Sequence, residues 1–265
     1  MKRLFALLLL PALLGSGCLS FMSKHSDQTS SVIERDIQQN GLFGLYLVPE
    51  DATEPLPGIV LVHEWWGLNQ YIKDEAKKLS EEGYAVFAID LYDGEVASSS
   101  ARAGELAGSV RANPEAALTK MRAAIDFLQE QPEVQRDRLA GFGWCFGGAM
   151  ENLLASSGED RLKANVVYYG TPVTNKAALA RMTKPTLGIW GRDDQSIPVD
   201  QVNAFEQALK DQGTPVEFHI YDGAGHAFAN PTRGEGYRPE ATADAWHQLT
   251  GSLLFNITIF QSRPS

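Results

Sequence analysis

Three side chains in this chain can act together on a carbonyl: Cys145, Asp194 and His226. Cys145 sits in Gly143-Trp144-Cys145-Phe146-Gly147, after an apolar run and before a small-residue helical stretch. That context is the one a nucleophile elbow requires. A sharp strand-to-helix turn strains the nucleophile's backbone, and its neighbours two before and two after must be small. Gly143 and Gly147 meet that need. The elbow aims the thiol at the carboxyl end of the sheet, where open α/β sheets bind ligands, and a helix N-terminus favours a thiolate. The competing reading is a small buried hydrophobe, the commoner fate of a free cysteine.

Two further segments weigh against that reading. His226, in "YDGAGHAFAN", is the one histidine of five that falls on a loop after a strand. Asp194, in "WGRDDQSIP", directly follows the run 185–190 and can hold an imidazole in one tautomer. Taken singly, they also read as a structural histidine and a turn-capping aspartate. Their chain order is nucleophile, acid, base, which is the α/β-hydrolase order.

A fourth ionisable group, Glu64, lies between a buried strand and two tryptophans, where poor solvation raises a carboxyl pKa; the competing reading is an exposed loop glutamate, as most carboxylates are. The oxyanion donors expected of this arrangement are the backbone N–H groups of Phe146 and Trp65. Trp66, Trp144 and Phe228, with Trp65, are candidates for an apolar substrate pocket, or equally for the core.

The elements that must position these groups follow from the apolar pattern. Residues 41–50 read as a strand or hairpin arm. Runs 58–63, 84–90, 138–144, 164–170, 185–190 and 215–221 read as strands, several continuous enough to be covered on both faces. Between them Ile72, Ala76 and Leu79 mark a helix closed by Gly83. Leu118, Met121, Ile125 and Leu128 mark another, opened by Asn113-Pro114. Residues 147–157 form a small-residue helix. Asp200 caps a helix carrying Val202, Phe205 and Leu209, and a last helix runs over about 239–260. Residues 93–112 carry no clear pattern. Alternating strands and helices predict one α/β domain with a mostly parallel sheet covered on both faces.

With these segments in view, the chain resembles the dienelactone hydrolases, cysteine-dependent members of the α/β-hydrolase superfamily. The resemblance covers most of 32–260 and is carried by "GFGWCFGG", "GRDDQSIP", "GAGHAF" and "LVHEWWGLN". It implies Cys145 as nucleophile, Asp194 rather than Asp193 as acid, His226 as base, and Glu64 as a carboxylate that helps form the thiolate. It implies cleavage of a small ester or lactone through a thiol-ester acyl-enzyme. The sequence holds no HExxH, no CxxC, no calcium-type acidic loop and no Gly-rich phosphate loop after the first strand, so no metal or cofactor is expected. The resemblance thins at the substrate. Family members bind the dienelactone carboxylate with two arginines, and those positions hold Gly94 and Asn230 here. Asp93 and Glu95 flank the first. This local acidity argues against an anionic substrate and against dienelactone itself, unless Arg233 substitutes.

The first residues raise a separate expectation. Lys2 and Arg3, the apolar run from Leu4 to Leu14 and small residues ending at Cys18 follow a secretory signal pattern. Residues 1–18 are therefore expected to be a signal peptide and 19–31 a linker, with 32–265 the domain. Gly15-Ser16-Gly17-Cys18 matches a lipoprotein processing site in part, so Cys18 is a candidate for lipidation. The expected location is the bacterial periplasm or envelope, with membrane attachment through that lipid only, and the expected state is a monomer. A formal net charge of −10 excludes a nucleic-acid partner. Against the hydrolase stand a non-catalytic envelope binding or scaffold domain, and a peptidase or acyltransferase on the same fold.

Overall fold

The computed structural model describes residues 31–259, so the signal, Cys18 and nearly all of the linker fall outside the described residues. In chain order the elements are β1 (Val32–Gln39), β2 (Leu42–Pro49), β3 (Leu56–Val62), α1 (Gln70–Glu81), β4 (Ala85–Ile89), α2 (Ser100–Ala112), α3 (Pro114–Glu130) and β5 (Val134–Trp144). Then come α4 (Phe146–Ser156), β6 (Leu162–Tyr168), α5 (Lys176–Leu179), β7 (Thr186–Gly191), α6 (Val199–Asp211), β8 (Val216–Tyr221), a 3₁₀ turn (Pro231–Gly236) and α7 (Pro239–Ile259).

The eight strands form one sheet in the order β1-β2-β4-β3-β5-β6-β7-β8. β3 to β8 pair in parallel; β2 joins β1 and β4 antiparallel. Two apolar layers pack on its faces. One gathers Ile72, Leu79, Trp144, Trp190 and Phe205, the other Leu118, Met121, Ile125 and Leu128. The stripes expected on α1, α3 and α6 are the buried ones.

The strand order reverses about β3, whose neighbours are β4 on one side and β5 on the other. The crevice above such a reversal is where doubly wound sheets bind ligands. Val62 pairs with Gly143 across β3 and β5. Glu64 and Cys145, each two residues further on, therefore leave adjacent strands at the same height.

Three details depart from the sequence expectation. β1 is mostly exposed and lacks an apolar run, so its pairing is made by an Asn40-Gly41 turn with both residues at positive φ, 51° and 78°. Residues 100–112 are helical although only Ala103 and Ala107 are buried; the Ser99 hydroxyl caps the start by accepting the Arg102 N–H. α6 begins after Pro198, with Asp200 in its first turn rather than at the cap.

Candidate active site

Cys145 stands at the junction of β5 and α4 with φ 56° and ψ −115°, a conformation that stores strain of about 1–3 kcal/mol. The turn admits no side chain beside it. A Cβ on Gly143 would meet the Gly147 carbonyl oxygen at 2.1 Å, and one on Gly147 would meet the Val62 carbonyl oxygen at 2.2 Å. The elbow is pinned where the Cys145 N–H donates to the Tyr168 carbonyl at 2.9 Å. Phe146 opens α4, so its N–H has no carbonyl one turn earlier to bond.

The three sequence-predicted residues meet. His226 Nε2 lies 3.1 Å from Cys145 Sγ, and its Nδ1 lies 2.7 Å from Asp194 Oδ2. Asp194 is 3% exposed, and its other oxygen accepts the N–H groups of Ser196 and Ile197 at 2.7 and 3.1 Å. Burial works against the Asp194 carboxylate, but the His226 bond and charge and these two N–H groups outweigh it and lower its pKa. Burial likewise opposes the His226 imidazolium. The bonds to Asp194 and Cys145 outweigh that and push it up to about 10. Since Asp194 accepts at Nδ1, that nitrogen carries a proton and Nε2 faces the sulfur.

Glu64 is 2% exposed and lines the same cleft. Burial pushes its pKa up to about 7 against the opposing pull of Asn230, His226 and Arg233. Asn230 Nδ2 donates to Glu64 Oε2 at 2.7 Å. Beneath this pair lies His63, directly after β3. His63 is fully buried; its Nε2 accepts the Leu91 N–H at 3.1 Å, so Nδ1 must carry the proton it donates to the Glu64 carbonyl at 2.6 Å. Burial lowers its pKa, and the Asp90 carboxylate at 3.8 Å faces a neutral ring. The ring stacks on Phe146 with centroids 5.8 Å apart. His63 thus braces the backbone of both segments expected to supply oxyanion donors.

The cleft has a volume of about 310 Å³ and is lined by Glu64, Trp65, Trp66, Arg111, Cys145, Ser196, His226, Ala227 and Arg233. Two expected pocket residues are not in its wall. Trp144 is 1% exposed and packs on Phe142 with centroids 4.0 Å apart, because the elbow turns only Cys145 outward and leaves Trp144 facing the core. Phe228 is fully buried between Tyr169 and Tyr221. Both are core residues.

The expected local acidity is also displaced. Asp93 pairs with Lys120, and Glu95 with Arg102, so neither carboxylate faces the cleft. Two arginines do. Arg111, at the end of α2, lies over the Phe146 ring at 5.4 Å. Arg233 comes from the 3₁₀ turn. Neither guanidinium has an acidic partner within bonding distance among the described residues. Arg111 lay in a segment without legible pattern; Arg233, the substitute considered from sequence, lines the cleft from the 3₁₀ turn.

The family model for the dienelactone hydrolase family matches residues 43–255. The chain belongs to the dienelactone hydrolase family. Among its relatives, a Bradyrhizobium sp. protein named "Probable 2-oxo-3-(5-oxofuran-2-ylidene)propanoate lactonase" is 30% identical over 224 residues, covering 80% of this chain and 89% of that one. "Protein usf" of Aquifex pyrophilus is 30% identical over 195 residues, 72% of this chain and 84% of that one. A solved structure from Klebsiella pneumoniae subsp. pneumoniae, named "Putative Dienelactone Hydrolase", superposes with a TM-score of 0.76 at 26% identity, covering 86% of this chain and 99% of that one. The chain is thus a hydrolase of the dienelactone hydrolase family with a single α/β-hydrolase domain.

Proposed function

We propose that this protein hydrolyses small esters or lactones through Cys145, and that its preferred substrates carry a carboxylate. The observation that carries the proposal is the continuous relay Cys145 Sγ–His226 Nε2 at 3.1 Å and His226 Nδ1–Asp194 at 2.7 Å, opening into a cleft walled by two arginines that have no acidic partner among the described residues. Glu64 takes the thiol proton, and returns it to sulfur at the end of the cycle, beside a His226 already held as imidazolium; Sγ attacks the ester carbonyl carbon. The C–S bond forms as the carbonyl π pair moves to oxygen, where the N–H groups of Trp65 and Phe146 receive it. The oxyanion collapses, the ester C–O bond breaks, and the imidazolium protonates the leaving alkoxide. A lactone keeps that alcohol attached to the acyl-enzyme. Water then gives a proton to His226 and attacks the thioester; the C–S bond breaks and the acid leaves.

Arg111 and Arg233 support the carboxylate preference, since guanidinium groups match carboxylates in geometry and charge. The lactonase name of the Bradyrhizobium relative, a propanoate, is consistent with that substrate class. On this reading the two arginines serve where Gly94 and Asn230 cannot. The pattern of residues 1–18 adds the proposal of export, with Cys18 as the lipid site; the mass of the mature N-terminus tests it.

Turnover of short aryl esters, each as a free-acid and a methyl-ester version, tests the function. The expected result is hydrolysis that favours the free acid and disappears in Cys145→Ala. Turnover surviving in Cys145→Ala would refute the mechanism, and indifference to the carboxylate would refute the substrate class.

A further inference from the structure

Asn230 lies four residues beyond His226, just before the 3₁₀ turn, and is 2% exposed. Its Oδ1 accepts the Thr232 N–H at 2.9 Å and the Thr232 hydroxyl at 2.7 Å. A backbone N–H can only donate, so the amide has one permitted orientation: oxygen toward Thr232, nitrogen toward Glu64. Nδ2 therefore donates to Glu64 Oε2 at 2.7 Å, joining residues 166 positions apart. Glu64 Oε1 is buried and has no partner at bonding distance.

We propose that Asn230 is the positioning residue of Glu64, clamping one carboxyl oxygen while, as a neutral donor, leaving the group able to exchange a proton at the site. The inference rests on the hydrolase reading for its role in turnover, but the clamp itself stands on the geometry. A cation at 230 would hold the carboxyl ionised; an apolar side chain would leave the buried Oε2 without the amide that donates to it. The amide lies between these extremes, in keeping with a Glu64 pKa of about 7. The groups that face Glu64 are Tyr71 from α1, Tyr169 after β6, His226 and Arg233 from the β8–α7 connection, with Cys145 and Arg111 across the cleft.

The test is the titration of Glu64 followed by the infrared stretch of its protonated carboxyl, assigned by difference against Glu64→Gln. It is run on the full chain for the parent, Asn230→Leu, Asn230→Ser and Asn230→Arg. The expected midpoint rises by about one pH unit or more in Asn230→Leu. It moves less in Asn230→Ser, whose hydroxyl can donate, and falls in Asn230→Arg. The acidic limb of kcat/KM follows the same shifts with little change in KM, and a Glu64→Gln background abolishes them. A merely structural role would lower activity and Tm without moving the limb in opposite directions. A Glu64 midpoint that ignores all three folded variants, or a limb that does not follow it, overturns the inference. Absence of any ester turnover in the parent strikes the hydrolase reading instead, and the infrared titration still decides the clamp.

Discussion

Glu64 and Glu151 are both buried, at 2% and 0% exposure, and both flank the elbow strand. Burial raises both, to about 7 and about 8. Their surroundings differ. Glu64 receives the Asn230 amide and feels His226 and Arg233 across an open cleft. Glu151, on α4, has neither oxygen partnered, and Glu159 adds repulsion. It fills the space left by Gly141, where a Cβ would sit 2.2 Å from both of its oxygens. A buried carboxyl serves chemistry only where donors reach it and a reactant can. Without them it is a neutral acid whose ionisation destabilises the fold.

The comparison breaks if turnover and stability do not separate between the two residues. Glu64→Gln is expected to lower kcat/KM by about 10²-fold, the range of a lost acid–base group, with Tm held. Glu151→Gln is expected to change kcat/KM by less than about twofold, as a substitution outside the site. Steady-state kinetics beside thermal melts decide it, and equal losses of turnover would collapse the distinction.

Gly141→Ala sharpens the packing half. The added methyl meets the Glu151 carboxyl and should destabilise by about 1–3 kcal/mol. Glu151→Ala in the same chain should recover part of that loss, so urea unfolding of the double-mutant cycle should show coupling. Strict additivity would contradict the contact.

The arginines test the open side of Glu64's surroundings. Arg111→Ala and Arg233→Ala should each raise KM for a carboxylate-bearing ester by about 10-fold. The methyl ester should be indifferent. Equal effects on both esters would assign the arginines to structure.

The smallest effect is a pH slope. The folded pKa of Glu151, about 8, lies above its ordinary value of 4.5, so the folded state holds a proton that the unfolded state releases. Stability from this group is therefore lost as pH rises from about 4.5 to about 8. Glu64 acts in the same direction only up to about 7. Between pH 7 and 8 the parent should lose about 1 kcal/mol relative to Glu151→Gln, read from urea midpoints. A constant difference over that interval would contradict the buried proton on Glu151.

The elements easiest to read from sequence were those whose burial is one-sided or complete. Runs 58–63 and 84–90 announce β3 and β4 because helices cover both faces and no polar alternation is needed. β1 and α2 were hidden for the opposite reason: they are held by strand pairing and a cap rather than by an apolar stripe. Cys145, Asp194 and His226 were legible because each chemical group sits beside glycine or a turn at a strand end. Asn230 and Arg111 were not, since their roles depend on contacts between distant segments. Trp144 and Phe228 are near the site in sequence only: Trp144, adjacent to Cys145 at the end of β5, points to the opposite side, and Phe228 is drawn into the core by Tyr169 and Tyr221.

Intact-mass spectrometry of the enzyme mixed with a slowly deacylating aryl ester tests the central claim most directly. The account predicts one acyl adduct, mapped to Cys145, that forms before the acid is released and is absent in Cys145→Ala. Steady ester turnover with no adduct on Cys145, or an adduct on another residue, would contradict it.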